Sequence, residues 1–367
     1  MSETRRPDRA VMATGEGERV GDWQTEAATS RSAPPDGEAA TPDALGVALD
    51  RVLQVTTDLA RAMATVIEGK DDVIRTALVA LLAEGHLLVE DVPGVGKTML
   101  AKTLARSVDA TVRRVQFTPD LLPSDITGVS VWNQDLRSFE FRPGAIFANV
   151  VVGDEINRAS PKTQSALLES MEEAQVTVDG TTYALPRPFM VMATQNPIEM
   201  EGTYPLPEAQ LDRFMFNIVI GYLGEDDEVE VVRRTTGAPG APVDTIFTGE
   251  DLLQCHQLIR RVPVSEEVLR YAVKLASATR PGQPNAPEFI ENWVEWGAGT
   301  RAAQFLILGA KTRALLHNRA HASFDDVRAL AHPVLRHRIL INYKAEAEGV
   351  TMEQVIDRVI ESVDQKH

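Results

Sequence analysis

The sequence has little of several residue types, and each scarcity excludes a class of protein. It contains a single cysteine, Cys255, so no internal disulfide framework can form, which is typical of a protein from a reducing compartment. No apolar run approaches the roughly eighteen residues of a bilayer-spanning helix, and nothing near Met1 resembles a secretory signal. We therefore expect a cytoplasmic protein without membrane insertion.

Basic residues are outnumbered by acidic ones, 37 against 53, which gives a formal net charge of -16. Nonspecific nucleic-acid binding depends on cationic contacts with phosphates, so this balance disfavours it, and we expect no nucleic-acid partner. Apolar residues, in contrast, are plentiful. They make up 44% of the 367 positions, which is enough to bury a sizeable core, and the length favours two domains.

Composition and hydrophobic periodicity divide the chain into four parts. Residues 1–42 are rich in small, polar and charged residues and predict a disordered tail. Residues 43–222 alternate strand and helix patterns, whereas residues 223–247 are acidic and then rich in glycine and proline, as in a linker. Residues 248–367 have helical spacing. The sequence thus predicts a layered α/β domain followed by a small all-helical domain.

Five apolar runs predict the strands of a parallel sheet in the α/β domain. They lie at residues 87–89, 111–117, 148–152, 189–194 and 214–220. Between the third and fourth runs, Ser160 and Pro161 are the expected N-cap and first residue of a helix that continues to about Ala174. Two insertions, at 129–141 and 176–185, have the pattern of short hairpins.

The most informative segment follows the first strand and precedes a helical pattern: Glu90-Asp91-Val92-Pro93-Gly94-Val95-Gly96-Lys97-Thr98. Strand, glycine loop and helix form the context of a phosphate-binding loop. Gly94 and Gly96 permit backbone angles that let successive amide groups converge on one anion near the positive end of the helix. Lys97 would then meet the terminal phosphates, and the Thr98 hydroxyl would ligate magnesium. The full pattern begins with glycine, where this chain has Asp91, and a surface turn is the alternative interpretation.

Two carboxylates, Asp154 and Glu155, follow the third strand, at the end where open α/β sheets bind ligands. Asp154 can hold the magnesium ion, and Glu155 can act as a general base toward an attacking water. Asn196 follows the fourth strand and would lie beside Glu155, where its amide could orient that water. Helix-capping acids and a turn residue before Pro197 are the alternatives. Together these residues favour a magnesium-assisted hydrolase over a static binder.

The order of these motifs resembles that of AAA+ ATPases, and three phrases resemble the MoxR family in particular: Asp154-Glu155-Ile156-Asn157-Arg158-Ala159, Thr194-Gln195-Asn196-Pro197 and Pro205-Leu206-Pro207-Glu208-Ala209-Gln210-Leu211-Asp212-Arg213-Phe214. The resemblance implies an AAA+ P-loop core with a five-stranded parallel sheet, a small all-helical lid domain, and ATP and Mg²⁺ as cofactors. It also implies nucleotide contacts from Pro93, Gly94, Val95, Gly96, Lys97, Thr98 and Met99. Thr98 and Asp154 would be the metal ligands, and Lys97, Glu155 and Asn196 would serve catalysis.

Two arginines gain roles from the same resemblance. Arg213 corresponds to the arginine finger, which reaches the nucleotide of the neighbouring subunit in a ring, although a local pair with Asp212 or Glu208 is an alternative. Arg158 is a nearby rival for this role, with a surface or intersubunit ion pair as its other interpretation. Arg301 corresponds to the sensor 2 arginine of the lid, which touches the terminal phosphate within its own subunit. Gly299 and Thr300 replace the usual serine and proline before it, and a solvated arginine is the other interpretation.

The resemblance implies a homo-oligomeric, hexameric ring that hydrolyses ATP to remodel or activate a protein partner. Relatives of this kind often act with proteins that carry a von Willebrand factor A domain, in the maturation of metal-containing enzymes or envelope complexes. An ATP-gated assembly scaffold is an alternative of another class. A nucleic-acid motor of the same AAA+ branch is a third, and the acidity of the chain argues against it.

Overall fold

The computed structural model describes residues 57–59, 61–63, 70–91, 100, 103–104, 107–196, 202–221, 224–236 and 248–365. Several sequence predictions lie outside these residues. They are the tail over 1–42, the nucleotide-binding residues 93–99, part of the helix that follows them, and the second half of the linker predicted over 223–247.

The described residues form eleven strands, numbered in chain order: β1 Leu87–Asp91, β2 Val112–Gln116, β3 Gly128–Asn133, β4 Ser138–Pro143, β5 Val150–Asp154, β6 Gln175–Val178, β7 Thr181–Ala184, β8 Met190–Gln195, β9 Phe216–Ile220, β10 Val294–Trp296 and β11 Leu340–Ile341. Five of them form one sheet in the order β2-β5-β8-β1-β9, and every neighbouring pair is parallel. The predicted five-stranded parallel sheet is confirmed, with each strand within two residues of its predicted bounds. All of β5 and nearly all of β8 are buried, as expected for central strands covered on both faces.

The helices of the described residues are α1 Asp71–Leu82, α2 Pro123–Thr127, α3 Pro161–Glu173, α4 Glu208–Leu211, α5 Glu225–Thr236, α6 Gly249–Arg261, α7 Glu266–Ser277, α8 Glu288–Trp293, α9 Thr300–Leu316, α10 Phe324–Ala329, α11 Ala331–Leu335, α12 Tyr343–Ala347 and α13 Met352–Asp364. Helix α3 begins as predicted, because the Ser160 side chain accepts a hydrogen bond from the Thr163 amide and Pro161 occupies the first turn. None of the described helices has the length and apolarity needed to cross a membrane.

Both predicted hairpins are present. Strands β3 and β4 pair antiparallel, as do β6 and β7, and the second turn has positive φ at Asp179 and Gly180, which suits a two-residue hairpin loop. Trp132 is 49% exposed and packs edge-on against the exposed Phe139, whereas Tyr183 is partly buried and stacks on Phe141. Only the first hairpin therefore presents an aromatic pair to solvent.

The second part of the chain departs from its prediction in two places. The acidic segment assigned to a linker forms helix α5, in which Glu225 and three further acidic residues occupy the first turn and favour the positive end of the helix dipole. The all-helical lid also contains a short antiparallel pair, β10 with β11, whose two or three residues per strand give no periodic signal in the sequence. One hydrophobic core, with members such as Leu82, Phe216 and Leu306, joins the lid helices to the sheet.

His86 lies just before β1, at the edge of the sheet where the parallel strands begin, which we call the amino edge. Both of its ring nitrogens form hydrogen bonds. The Val191 amide donates to Nδ1 at 3.0 Å, and Nε2 donates to the Met171 carbonyl oxygen at 3.1 Å. Burial lowers the pKa of His86 from 6.5 to about 4. This pairing requires the neutral ring, because a second proton on Nδ1 would face the Val191 N–H.

We expect the free energy of unfolding to fall as the pH drops from 7 to 5, because the unfolded imidazole takes up a proton and the folded one does not. The contribution of His86 to this fall is about 2 kcal/mol. Urea titrations of the wild type and of His86→Gln at both pH values measure it. The variant has no titrating group at this position, so its free energy of unfolding should fall by about 2 kcal/mol less than that of the wild type between pH 7 and pH 5. Equal losses in the two proteins would contradict the assignment.

Candidate active site

Three neighbouring strands end together at one edge of the sheet, which we call the carboxyl edge. Strand β5 ends in Asp154 and is followed by Glu155, β8 is followed by Asn196, and β1 ends at Asp91, where the predicted phosphate-binding segment begins. Because β5, β8 and β1 are adjacent and parallel, their carboxyl ends lie side by side. The fold therefore brings the acidic pair, Asn196 and the start of the glycine loop to the same edge.

Asp154 is 6% exposed and has a cationic partner. The Nε atom of Arg114, on the neighbouring strand β2, lies 2.5 Å from its Oδ2, and the Thr194 hydroxyl lies 3.5 Å from its Oδ1. A buried carboxylate needs a positive charge or several hydrogen bonds to offset its desolvation. Arg114 supplies that positive charge to Asp154.

Glu155 has a backbone conformation that non-glycine residues rarely adopt, with φ 56° and ψ 51°. Such a conformation costs on the order of 1–3 kcal/mol and persists only where its surroundings enforce it. The Glu155 amide donates to the Thr194 hydroxyl at 3.0 Å. Its Oε2 accepts from Gln116 Nε2 at 2.9 Å and lies 3.2 Å from Arg158 Nε. The carboxylate, 31% exposed, is therefore aimed and held at the edge of the sheet.

Three of these supporting residues were not assigned to the site from the sequence: Arg114, Gln116 and Thr194. Arg158, considered there as a rival arginine finger, instead pairs with Glu155. Arg114 and Gln116 alternate on β2, so their side chains share one face of the sheet, and two polar residues at this spacing near the end of a predicted strand are the signal that could have identified them. A further carboxylate, Glu90 of β1, accepts hydrogen bonds from Gln195 at 2.8 Å and Asn217 at 2.6 Å. It links three strands near the same edge.

Arg213 lies at the opposite, amino edge of the sheet, just before β9. Its Nε is 3.5 Å from Oε2 of Glu172 at the end of α3, so it pairs with neither Asp212 nor Glu208, the local partners considered from the sequence. The side chain is 23% exposed and lines a cavity of about 150 Å³ together with Glu172, His86 and Arg301. An arginine at a rim can reach a partner that docks there.

Arg301 lies beside Arg213 in the structure, because both approach Glu172. Its Nη2 donates to Glu172 Oε1 at 2.6 Å, and its Nη1 lies 3.5 Å from Asp212 Oδ2. A five-residue strand, at about 3.3 Å per residue, separates this edge from the carboxyl edge by roughly 15 Å. Arg301 therefore lies about one strand length from the edge at which the predicted glycine loop begins, and its contact with a phosphate stays a prediction. The lid docks at the amino edge, and the sequence contains no signal for that docking.

A parallel sheet of this strand order, an acidic pair at its carboxyl edge and a helical second part are features of the AAA class of ATPases. The family model described as "ATPase family associated with various cellular activities (AAA)" matches residues 86–216, and the model described as "AAA lid domain" matches residues 289–359. Chaperone MoxR1 of Mycobacterium tuberculosis is 42% identical over 298 residues, which cover 81% of this chain and 79% of that protein.

The uncharacterised protein YeaC of Bacillus subtilis is 45% identical over 299 residues, which cover 81% of this chain and 91% of the relative. A crystal structure of a candidate ATPase from Cytophaga hutchinsonii superimposes with a TM-score of 0.82 at 40% identity and covers 87% of this chain and 97% of the other. The chain belongs to the MoxR family of AAA+ ATPases. The activity expected from the sequence, ATP hydrolysis, is confirmed by this membership.

Proposed function

We propose that Glu155 is the general base of ATP hydrolysis and that the carboxyl edge holds the nucleotide. The observation that supports this role is the strained backbone of Glu155 together with three groups that restrain it: the Thr194 hydroxyl, the Gln116 amide and the Arg158 guanidinium. Strained residues of this kind cluster at active sites, which favours a functional role for this one. Asn196, next to it at the end of β8, orients the attacking water.

The donor set at this edge fits Mg²⁺. Asp154 offers a buried carboxylate, which is the ligand type that Mg²⁺ prefers, and its negative charge already holds the Arg114 guanidinium at 2.5 Å. Asp154 and Thr98 would hold the ion, and Lys97 with the amides of residues 93–99 would hold the phosphates. When bound, the ion neutralises charge that develops on the phosphate oxygens.

The second catalytic group comes from a neighbouring subunit. Arg213 lies about 15 Å from its own carboxyl edge, so it can serve hydrolysis only in another copy of the chain. A closed head-to-tail ring supplies each nucleotide with one such arginine. We propose a hexamer, the assembly that the family resemblance implies, acting in the cytoplasm.

The ring remodels or activates a protein client, and we propose a protein with a von Willebrand factor A domain as the partner. The relative named as a chaperone supports action on proteins. The exposed aromatic pair of the first hairpin, Trp132 and Phe139, offers an apolar contact for such a client.

Client capture tests this proposal. We expect Glu155→Gln, which should bind ATP without hydrolysing it, to retain a protein with a von Willebrand factor A domain in ATP and to release it in ADP. The purified client should then stimulate hydrolysis by the wild type. Release that proceeds equally with ATP and a nonhydrolysable analogue would favour an ATP-gated scaffold instead. Stimulation by DNA with salt-sensitive binding would favour a nucleic-acid motor.

A further inference from the structure

Arg338 is a lid residue whose side chain is almost completely enclosed. It lies between α11 and β11, and 1% of its side chain is exposed. A buried guanidinium group carries a large desolvation cost and therefore needs many acceptors. Its acceptors are found mainly on the segment that contains Arg213.

Those partners lie on both sides of Arg213. Nε donates to the Asp212 carboxylate at 2.7 Å, and Nη2 donates to the Asp212 carbonyl oxygen at 2.8 Å and to that of Phe214 at 2.5 Å. Nη1 donates to the Met215 carbonyl oxygen at 3.3 Å and, within the lid, to that of Val334 at 2.6 Å. The planar guanidinium group thus fixes the backbone carbonyl groups of Asp212, Phe214 and Met215, the residues around Arg213.

The side chain of Arg213 is linked to the same lid residue through alternating charges. Arg213 and Arg301 each approach a different oxygen of Glu172, and Arg301 and Arg338 each approach a different oxygen of Asp212. The chain of contacts is therefore Arg213, Glu172, Arg301, Asp212 and Arg338. Arg301 and Arg338, two of the three cations, belong to the lid. A movement of the lid therefore shifts both the backbone beside Arg213 and the ion pair of its side chain.

We infer that Arg338 is the positioning residue of Arg213. Through it, the lid of each subunit fixes the position of the arginine which that subunit offers to its neighbour. This inference rests on the proposed role of Arg213 in a ring. Burial lowers the pKa of Arg338 to about 10, so the group keeps its charge at neutral pH. Lysine retains the charge but cannot reproduce the five-bond fork, which makes Arg338→Lys the informative variant.

Mixed rings separate positioning from a merely structural role. Glu155→Gln subunits lack hydrolysis of their own but offer an intact Arg213, so they should restore turnover to Arg213→Ala subunits, whose acidic pair is intact. We expect Glu155→Gln subunits that also carry Arg338→Lys to restore at least about 10-fold less turnover to the Arg213→Ala subunits than Glu155→Gln subunits alone. The matched control is Arg336→Lys in the same background. Arg336 also bridges the lid to the sheet, through the Asn217 carbonyl oxygen at 2.8 Å, but away from Arg213, so restoration should be kept.

The outcomes distinguish the inference from the function on which it rests. If Glu155→Gln subunits fail to restore Arg213→Ala subunits, the role of Arg213 in the neighbouring subunit is wrong. If they restore turnover equally with and without Arg338→Lys, positioning by Arg338 is wrong.

Amide hydrogen exchange provides a second measurement that does not require a ring. Arg338→Lys should speed exchange in a peptide covering residues 211–216 and leave β5 and β8 unchanged. An even increase across the whole sheet would show loss of stability alone and would overturn the inference.

Discussion

Glu155→Gln is expected to bind ATP with the affinity of the wild type and to hydrolyse it about 10²–10⁴-fold more slowly, because an amide cannot accept the proton of the attacking water. The substitution preserves shape and the oxygen that accepts from Gln116. The backbone of residue 155 keeps its bond to the Thr194 hydroxyl, so the strained conformation should survive. Phosphate release gives the turnover rate, and calorimetry with ATP and Mg²⁺ gives the affinity.

Glu169→Gln is the matched control for this experiment. It makes the same change in charge on the exposed face of α3, distant from the carboxyl edge, so its turnover should equal that of the wild type. Undiminished phosphate release by Glu155→Gln would remove Glu155 from the role of general base. Loss of ATP binding in that variant would instead indicate damage to the site as a whole.

Arg213→Ala is expected to lower turnover about 10³-fold or more, because an arginine finger neutralises charge that forms on the phosphates in the transition state. ATP affinity should change little, since the charge that Arg213 neutralises in the neighbouring site develops in the transition state and not in bound ATP. Steady-state hydrolysis over a range of ATP concentrations separates these two effects. Arg261→Ala, at an exposed position of the lid, is the control and should retain activity. Normal turnover by Arg213→Ala would refute the role of Arg213 as an arginine finger.

The sheet could be predicted from the sequence because its signals are local. A run such as Val150 to Val152 is apolar at every position, which indicates a strand covered on both faces, and a polar residue just after it must lie at an edge. The positions of Asp154, Glu155 and Asn196 along one edge follow from that pattern and from parallel strand order alone.

What the sequence could not reveal depends on contacts between distant residues. Arg114 and Asp154 are 40 positions apart, and Arg301 and Glu172 are 129 positions apart, so no local spacing marks either pair. The docking of the lid against the amino edge places Arg301 beside Arg213, where both approach Glu172. The left-handed conformation of Glu155 is likewise enforced by Thr194 and is not a preference of glutamate.

The placement of the acidic pair and of the arginines at opposite edges gives each subunit a direction. In the proposed mechanism, contacts that join one edge to the other are heterologous, so a two-fold dimer, which pairs identical surfaces, would complete none of the hydrolytic centres. The same polarity implies that assembly that fails to close would continue as an open helical filament, with a single unpaired centre at one end and a single unused arginine at the other.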